Sequence, residues 1–296
     1  MKASQGIAEA PVWAGSEGGS NLNVWDRMRA SVRKQRTDER SSLTFLALGS
    51  WCRVTYETRC EPAASAFASQ AIPWLAAFEA KFARHHPGSL VSRINHLAES
   101  SWVVLDDEAE RMLSVCEELK LITQGAFDPT VLPLTELWMR AGREAIPPTT
   151  DEIEEARQLV GWHQLKRCAG GVFPPKVGMG LDLDTLAQAY ATDRLVQLAE
   201  WHGLACVMVD FRRNKRCKGG PIRGSRWPIQ LESPAAPGGA WSIDIGASVA
   251  LSACSGVRRH SSIAGEWDEP IIDPRTGRLP VHGCHDVVVS AASGFL

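Results

Sequence analysis

No apolar run in this 296-residue chain approaches the roughly twenty residues that a helical membrane span requires. Net charge is also missing: at -2 the chain offers no electrostatic grounds for holding nucleic acid or an acidic membrane. The N-terminal stretch MKASQGIAEAPVWAGSEGGS lacks the basic-then-apolar order of a secretory leader, an absence that favours the cytoplasm. No CxxC pair occurs among the eight cysteines, and their gaps are long and irregular. That pattern argues for reduced thiols packed as small hydrophobes, not for a disulfide framework or a redox pair. His282-Gly283-Cys284-His285 gathers ligating residue types, yet a structural zinc site wants four ligands in known spacings. What remains, 44% apolar and 22% charged, is the composition of an ordinary soluble globular protein long enough to bury a sizeable core.

Residues 1–41 show no core pattern: Gly and Ser dominate 15–20 and charges dominate 33–40, so a disordered tail is expected there. Trp13 and Trp25 are the tail's candidates for docking on the body. Leu43 to Leu48 and Cys52 to Thr58 read as two strands around a turn at Gly49-Ser50. Phe67, Ala71, Leu75, Phe78 and Phe82 recur at helical spacing and predict a core helix through Pro73. Asp107 with Glu110 caps a second helix, a third runs from Leu134 to Ala141 and stops at Gly142, and Thr149 with Glu152 caps a fourth. A long helix follows Leu181-Asp182-Leu183, with Leu186, Tyr190, Leu195 and Leu198 pointing inward and Gly203 ending it. Leu204–Asp210, Arg226–Leu231, Trp241–Ile245, Ser248–Ser252 and His285–Ala291 read as strands. Capped helices followed by clustered strands predict an α+β fold, an antiparallel or mixed sheet with helices packed on it. No repeat or low-complexity linker divides the chain, so residues 42–296 are expected to form one unit.

Two stretches carry the chemistry. In Gly125-Ala126-Phe127-Asp128-Pro129-Thr130, Gly125 permits a turn that a Cβ would obstruct, and Pro129 pushes Asp128 into extended backbone. A stiff turn therefore presents Asp128, the Thr130 hydroxyl and the flat face of Phe127. The plainer reading is a loop whose Asp128 serves local structure while Phe127 joins the core. Ile271-Ile272-Asp273-Pro274-Arg275-Thr276-Gly277 has the same character.

These stretches, with Leu181-Asp182-Leu183 and Ala187-Gln188-Ala189-Tyr190-Ala191-Thr192-Asp193 between them, resemble the ApbE family of FAD:protein FMN transferases. The resemblance runs from about Leu48 to the last residue. It implies an ApbE-like α+β fold with a flavin site in a central cleft, FAD as substrate, Mg2+ as cofactor and a flavin-accepting target protein as partner. It places Leu48, His85, Ala126, Phe127, Asp128, Asp182, Gln188 and Ile272 at the nucleotide, and the backbone carbonyl of Thr185 at the metal. No catalytic residue stands out; Asp273 is the candidate. A helix start near residue 184 suits a diphosphate, because free backbone N–H groups there attract anions.

The chain departs from the family pattern at several points. Gln188 stands where members carry Lys or Glu, and Arg212-Arg213 where they carry paired glycines. Glu269-Pro270 stands where one or two histidines assist proton transfer, and Ser255-Gly256-Val257-Arg258-Arg259 keeps part of a further motif. The Ala-Asp-Ala-x-x-Thr segment that completes the family's magnesium site does not follow the last strand. Three readings therefore stand: an FMN transferase with weakened activity, a non-catalytic FAD-binding homologue, or a fold kept as an interaction scaffold. Weak or absent transfer is the expectation.

Overall fold

Every second side chain along Arg40–Ala47 is buried, the period of a strand with one face on a core. A computed structural model describes residues 23–295, apart from 98–100, 175, 212, 221–225, 233–239, 247, 256–270 and 282–285. Trp13, Arg212, Glu269-Pro270 and the 282–285 group lie outside the described residues. Helix α1 (Val24–Ser31) and strand β1 (Arg33–Arg36) precede the hairpin of β2 (Arg40–Ala47) and β3 (Ser50–Glu57). Helices α2 (Glu61–Phe82) and α3 (Leu90–His96), the short strand β4 (Val103–Val104) and α4 (Asp107–Ile122) follow. Then come α5 (Leu132–Glu144), α6 (Thr150–Gln158), β5 (Lys166–Cys168), β6 (Gly171–Phe173) and α7 (Asp184–Trp201). The remaining strands are β7 (Val207–Phe211), β8 (Asn214–Lys218), β9 (Trp227–Glu232), β10 (Ala240–Ile245), β11 (Ala250–Ser255) and β12 (Asp286–Ala291).

Seven strands form one sheet in the order β1-β2-β3-β7-β8-β11-β12, antiparallel at every junction. β9 pairs with β10 in a separate ribbon, and β4-β6-β5 form a small third sheet. The expected α+β architecture is what the chain adopts. The core lies where α2 and α7 meet the main sheet. There Phe78 stacks on Tyr190 with ring centroids 5.3 Å apart, and Tyr190 meets Phe295 edge-on at 4.9 Å. The predicted apolar stripe Phe67, Ala71, Leu75, Phe78 and Phe82 is buried, and α2 continues through Pro73. Helix α5 runs past Gly142 and closes instead on Ala145, whose φ of 54° is left-handed. Its buried face of Leu134, Leu137 and Ala141 holds the helix across a glycine that tolerates but does not require a stop.

The expected tail over residues 1–41 is corrected in its second half. Asn23 caps α1 by accepting the Asp26 N–H, Met28 is fully buried, and Val24 and Trp25 pack against the core. The apolar stripe of α1 is short and interrupted by Asp26, Arg27 and Arg29, so periodicity did not reveal it. β1 reads Arg-Lys-Gln-Arg with all four residues exposed, because an edge strand held by backbone pairing needs no apolar side chains. β8 escaped for a different reason: Asn214-Lys215-Arg216-Cys217-Lys218 looks like a surface run, yet it is an interior strand whose polar side chains are partnered within the fold.

The seven described cysteines are free thiols, and burial pushes Cys116 and Cys217 up to about 12. Among the described residues no helix is long and apolar enough to cross a membrane.

Met28→Ala should lower unfolding free energy by about 2–5 kcal/mol, the usual range for truncating a buried methionine. Urea titration checks this; a tail residue would leave the midpoint where it was.

Candidate functional site

Helix α4 ends in two left-handed residues, Gln124 and Gly125, with φ of 52° and 81°. The Gly125 N–H returns to the Lys120 carbonyl at 2.9 Å, which closes the helix and turns the chain. The Asp128 side chain points inward from this turn. Its Oδ1 accepts the Thr130 N–H at 2.9 Å and the Thr130 hydroxyl at 2.5 Å. Its Oδ2 accepts the Trp162 N–H at 3.3 Å and lies 3.3 Å from Lys120 Nζ. Thr130 Oγ1 in turn accepts the Gly161 N–H at 2.7 Å. Asp128 therefore joins α4, the start of α5 and the loop after α6. Of the motif, Ala126 is exposed and Phe127 is half-buried against the core, so these two residues offer the turn's accessible surface.

The same turn positions the start of α7. Pro129 O accepts the Asp182 N–H at 2.7 Å, and Val131 forms a parallel bridge with Gly180. A Cβ on Gly180 would stand 2.7 Å from Leu132 Cδ2, so glycine is what lets these segments touch. Asn95 clamps the other side, donating to the Leu181 carbonyl at 3.1 Å and accepting its N–H at 2.7 Å. Asp182 is thus fixed by backbone on both flanks. Its carboxylate accepts the Asp184 N–H at 3.1 Å and meets Arg84 Nη1 at 2.6 Å.

Arg84 is the residue that sequence reasoning missed. Its side chain is 6% exposed, and its Nε lies 3.1 Å from Asp184 Oδ2 and donates to His85 Nε2 at 3.1 Å. The available signal was its place one residue before His85: an acidic pair at a helix start needs a counter-ion from a neighbouring segment. Desolvation and the adjacent Arg84 cation lower the His85 pKa below its ordinary value, against a weaker upward pull from Asp182. Thr185, in the first turn of α7, is exposed, and no side chain caps that helix at Leu183.

One helical turn on, Gln188 Nε2 donates to the Leu48 carbonyl at 3.1 Å. Leu48 and Gly49 form the two-residue turn between β2 and β3, with φ of 49° and 70° as a type I′ turn requires. Gln188 Oε1 faces Asn214 Nδ2 at 3.5 Å, and Asn214 Oδ1 accepts the Ser252 hydroxyl at 2.9 Å. An amide network therefore runs from the turn across α7 to β8 and β11.

Within the basic run over residues 212–216, Lys215 and Arg216 are paired inside the fold. Lys215 Nζ pairs with Asp210 Oδ1 at 2.6 Å, and Arg216 Nη1 with Asp193 Oδ1 at 2.5 Å. Asp193 also accepts the N–H groups of Gly294 and Phe295, each at 3.1 Å, and the Ser293 hydroxyl.

The second motif folds on itself. Asp273 Oδ1 accepts the Arg275 N–H at 3.0 Å and Arg275 Nε at 2.9 Å, while Oδ2 takes Nη2 at 2.7 Å. Those bonds lower the Asp273 pKa, so its carboxylate is a weak base occupied with its own turn. The turn docks through Gly277, whose carbonyl accepts Trp138 Nε1 at 2.9 Å. A Cβ on Gly125 would lie 3.7 Å from Arg275 Cγ, so the two Asp-Pro turns are neighbours, with half-buried Ile272 beside them.

The structure thus brings Leu48 to Gln188, Asp182 to the Asp128 turn, and His85 to Asp182 through Arg84. The carboxylates of Asp128 and Asp273, by contrast, are directed into local structure. Among the described residues, no three His, Cys, Asp or Glu side chains are grouped to hold a metal ion.

The ApbE family model matches residues 48–296. A FAD:protein FMN transferase of Salmonella typhimurium is 29% identical over 217 residues, 70% of this chain and 61% of the relative. One from Treponema pallidum is 27% identical over 272 residues, 86% of this chain and 73% of the relative. The chain thus spans 61% of the length of the Salmonella relative, under two thirds. Among solved structures, the ApbE protein of Thermotoga maritima superposes with a TM-score of 0.73 at 25% identity, covering 89% of this chain and 83% of that one. The flavin transferase ApbE of Vibrio cholerae gives 0.74 at 22% identity, covering 87% and 83%, a likeness of fold.

Asp128→Ala should destabilise the fold by about 1–3 kcal/mol, since it leaves buried donors unpaired. Thermal melts and Trp162-sensitive fluorescence check this, and an unchanged melting temperature would contradict the inward role. For His85, NMR titration should give a midpoint below the ordinary 6.5, rising in Arg84→Ala. As pH falls through 6.5 the unfolded chain takes a proton that the folded ring resists, so His85 makes the fold less stable in acid.

Proposed function

We propose, on the premise that this chain belongs to the ApbE family, that it binds FAD across the Leu48-Gly49 turn and the start of α7. From there it transfers the FMN half to a Thr or Ser hydroxyl of a target flavoprotein. The observation that carries the reading is the Gln188–Leu48 hydrogen bond, which joins two segments 140 residues apart that the family resemblance independently assigns to FAD. Ala126, Phe127, Ile272 and His85 are assigned to the same nucleotide by the family resemblance, with Ala126 exposed and Phe127 and Ile272 half-buried. Asp128 serves this site by holding the turn that carries Phe127.

In the transfer, the target's hydroxyl oxygen attacks the phosphorus on the FMN side of the diphosphate. The P–O bond to the AMP half breaks, AMP leaves, and the hydroxyl proton ends on the departing phosphate or in solvent. Catalysis of this type is mostly placement and charge neutralisation. In the first turn of α7 the Asp184 N–H is held by Asp182, and the backbone N–H groups beyond it are the ones we assign to phosphate oxygens. Arg84 holds Asp182 and Asp184 so that their charges do not repel the diphosphate.

Magnesium, which prefers near-octahedral oxygen ligands, fits the described residues poorly. The resemblance assigns the Thr185 carbonyl to the metal, but the nearby Asp182 and Asp184 carboxylates are engaged with Arg84. Residues 42–296 are read as one ApbE-like unit, to which α1 and β1 also belong. A cytoplasmic setting completes the proposal, supported by free thiols at all seven described cysteines.

A non-catalytic FAD-binding protein is the second reading, favoured by the uncharged Gln188 and by Asp273 being held in its own turn. A scaffold built on the basic run is not favoured, since Lys215 and Arg216 are paired within the fold.

Incubation with FAD, Mg2+ and a flavin-accepting protein should give slow covalent fluorescence of that protein on a denaturing gel. FAD binding without labelling would establish the second reading, and failure to bind FAD would overturn both.

A further inference from the structure

Leu48 occupies left-handed backbone at φ 49°, a conformation that side-chain-bearing residues hold when their surroundings fix it. Two hydrogen bonds do so. The Leu48 carbonyl accepts from Gln188, and the Leu48 N–H donates to Glu79 Oε2 at 3.0 Å. Glu79 lies near the end of α2 with its side chain 4% exposed. A carboxylate this buried is strongly destabilising unless it is paired and hydrogen-bonded. Its second oxygen, Oε1, meets Arg27 Nη2 from α1. Arg27 reaches it from a helix anchored by the buried Met28 and by Ser31, whose hydroxyl accepts the Leu46 N–H of β2 at 2.8 Å. The β2 strand and its turn are thus gripped from α1 at two points. Yet α1 lies wholly before residue 48, where the family match begins.

We infer that α1 is part of the flavin site: Arg27 and Glu79 are positioning residues that hold the Leu48-Gly49 turn in the conformation that aligns Gln188 for FAD. The inference rests on the FAD reading above. The chain of contacts runs Arg27, Glu79, Leu48 N–H, Leu48 carbonyl, Gln188, and each link is a hydrogen bond or ion pair of a buried or half-buried group. Neither Arg27 nor Glu79 touches the ligand; both act through the turn. Glu79 keeps its charge in place through Arg27, so removing the guanidinium leaves the carboxylate to draw in water and release the Leu48 N–H.

The experiment compares the full chain with Arg27→Ala, Arg27→Lys and Glu79→Gln, reading FAD affinity by flavin fluorescence and the Leu48 amide resonance by NMR. Arg27→Ala should weaken FAD binding about tenfold and move the Leu48 amide upfield, as its bond to the carboxylate is lost. Arg27→Lys, which restores the cation, should bring affinity to within about twofold of the parent and return the resonance. Glu79→Gln retains an acceptor for Leu48 and should fall between the parent and Arg27→Ala. A merely structural role would lower the melting temperature of Arg27→Ala and leave FAD affinity and the Leu48 amide unchanged; that result overturns the inference while the flavin reading stands. A parent chain that does not bind FAD overturns the flavin reading itself, and the role of α1 in that site falls with it.

Discussion

The carboxylate of Asp128 is the constraint on which the site's scaffold depends. Alone in the interior it would be strongly unfavourable, and the chain answers by bringing donors from three segments to it. Thr130 supplies two, Trp162 one and Lys120 a charge, and Thr130 passes the connection on to Gly161. Once this knot forms, Pro129 is held where its carbonyl meets Asp182, and the entry to α7 follows. An acidic residue that looks like a ligand contact in a linear motif is here the reason that the motif has a shape.

Helix α7 converts that local knot into a long-range assembly. Along one helix, Asp182 just before it binds Arg84, Gln188 binds the β2–β3 turn, Tyr190 joins the aromatic stack with Phe78, and Asp193 binds β8 through Arg216. A helix buried on so many sides carries its polar contacts inward. That is why Thr192 and Asp193 are as buried as the leucines around them.

The parts of the fold written as apolar periodicity were legible in the sequence. The stripe from Phe67 to Phe82 and the inward Leu186, Tyr190 and Leu195 are read off spacing, and both lie in the core. What escaped were elements whose stability comes from backbone pairing or from charge. β1 is four polar residues on an edge, and β8 buries Asn214 and Lys215 because Ser252 from β11 and Asp210 from the adjoining β7 partner them. The same limit applied at the site. Leu48 and Gln188 were placed there by family resemblance, and the structure joins them. Glu79 left no mark in the sequence and Arg84 only its place beside His85, because a counter-ion is defined by what lies opposite it in space. The resemblance located the position of Asp128 but not its direction; inward and outward carboxylates look alike in sequence.

Asp193 illustrates what the strand order asks of a chain during synthesis. Its acceptor sites are filled by Arg216, about two dozen residues later, and by Ser293, Gly294 and Phe295, about a hundred residues later. A nascent chain that has made α7 but not residue 293 holds that carboxylate with only part of its donors. The interior around Tyr190 likewise waits for Phe295 to cover its edge. Closing contacts of such sequence separation is entropically slow, and the surroundings of Asp193 are complete only once Arg216 and residues 293–295 have all been made. Premature closure on a half-made site is thereby disfavoured by the order in which its hydrogen-bond donors emerge.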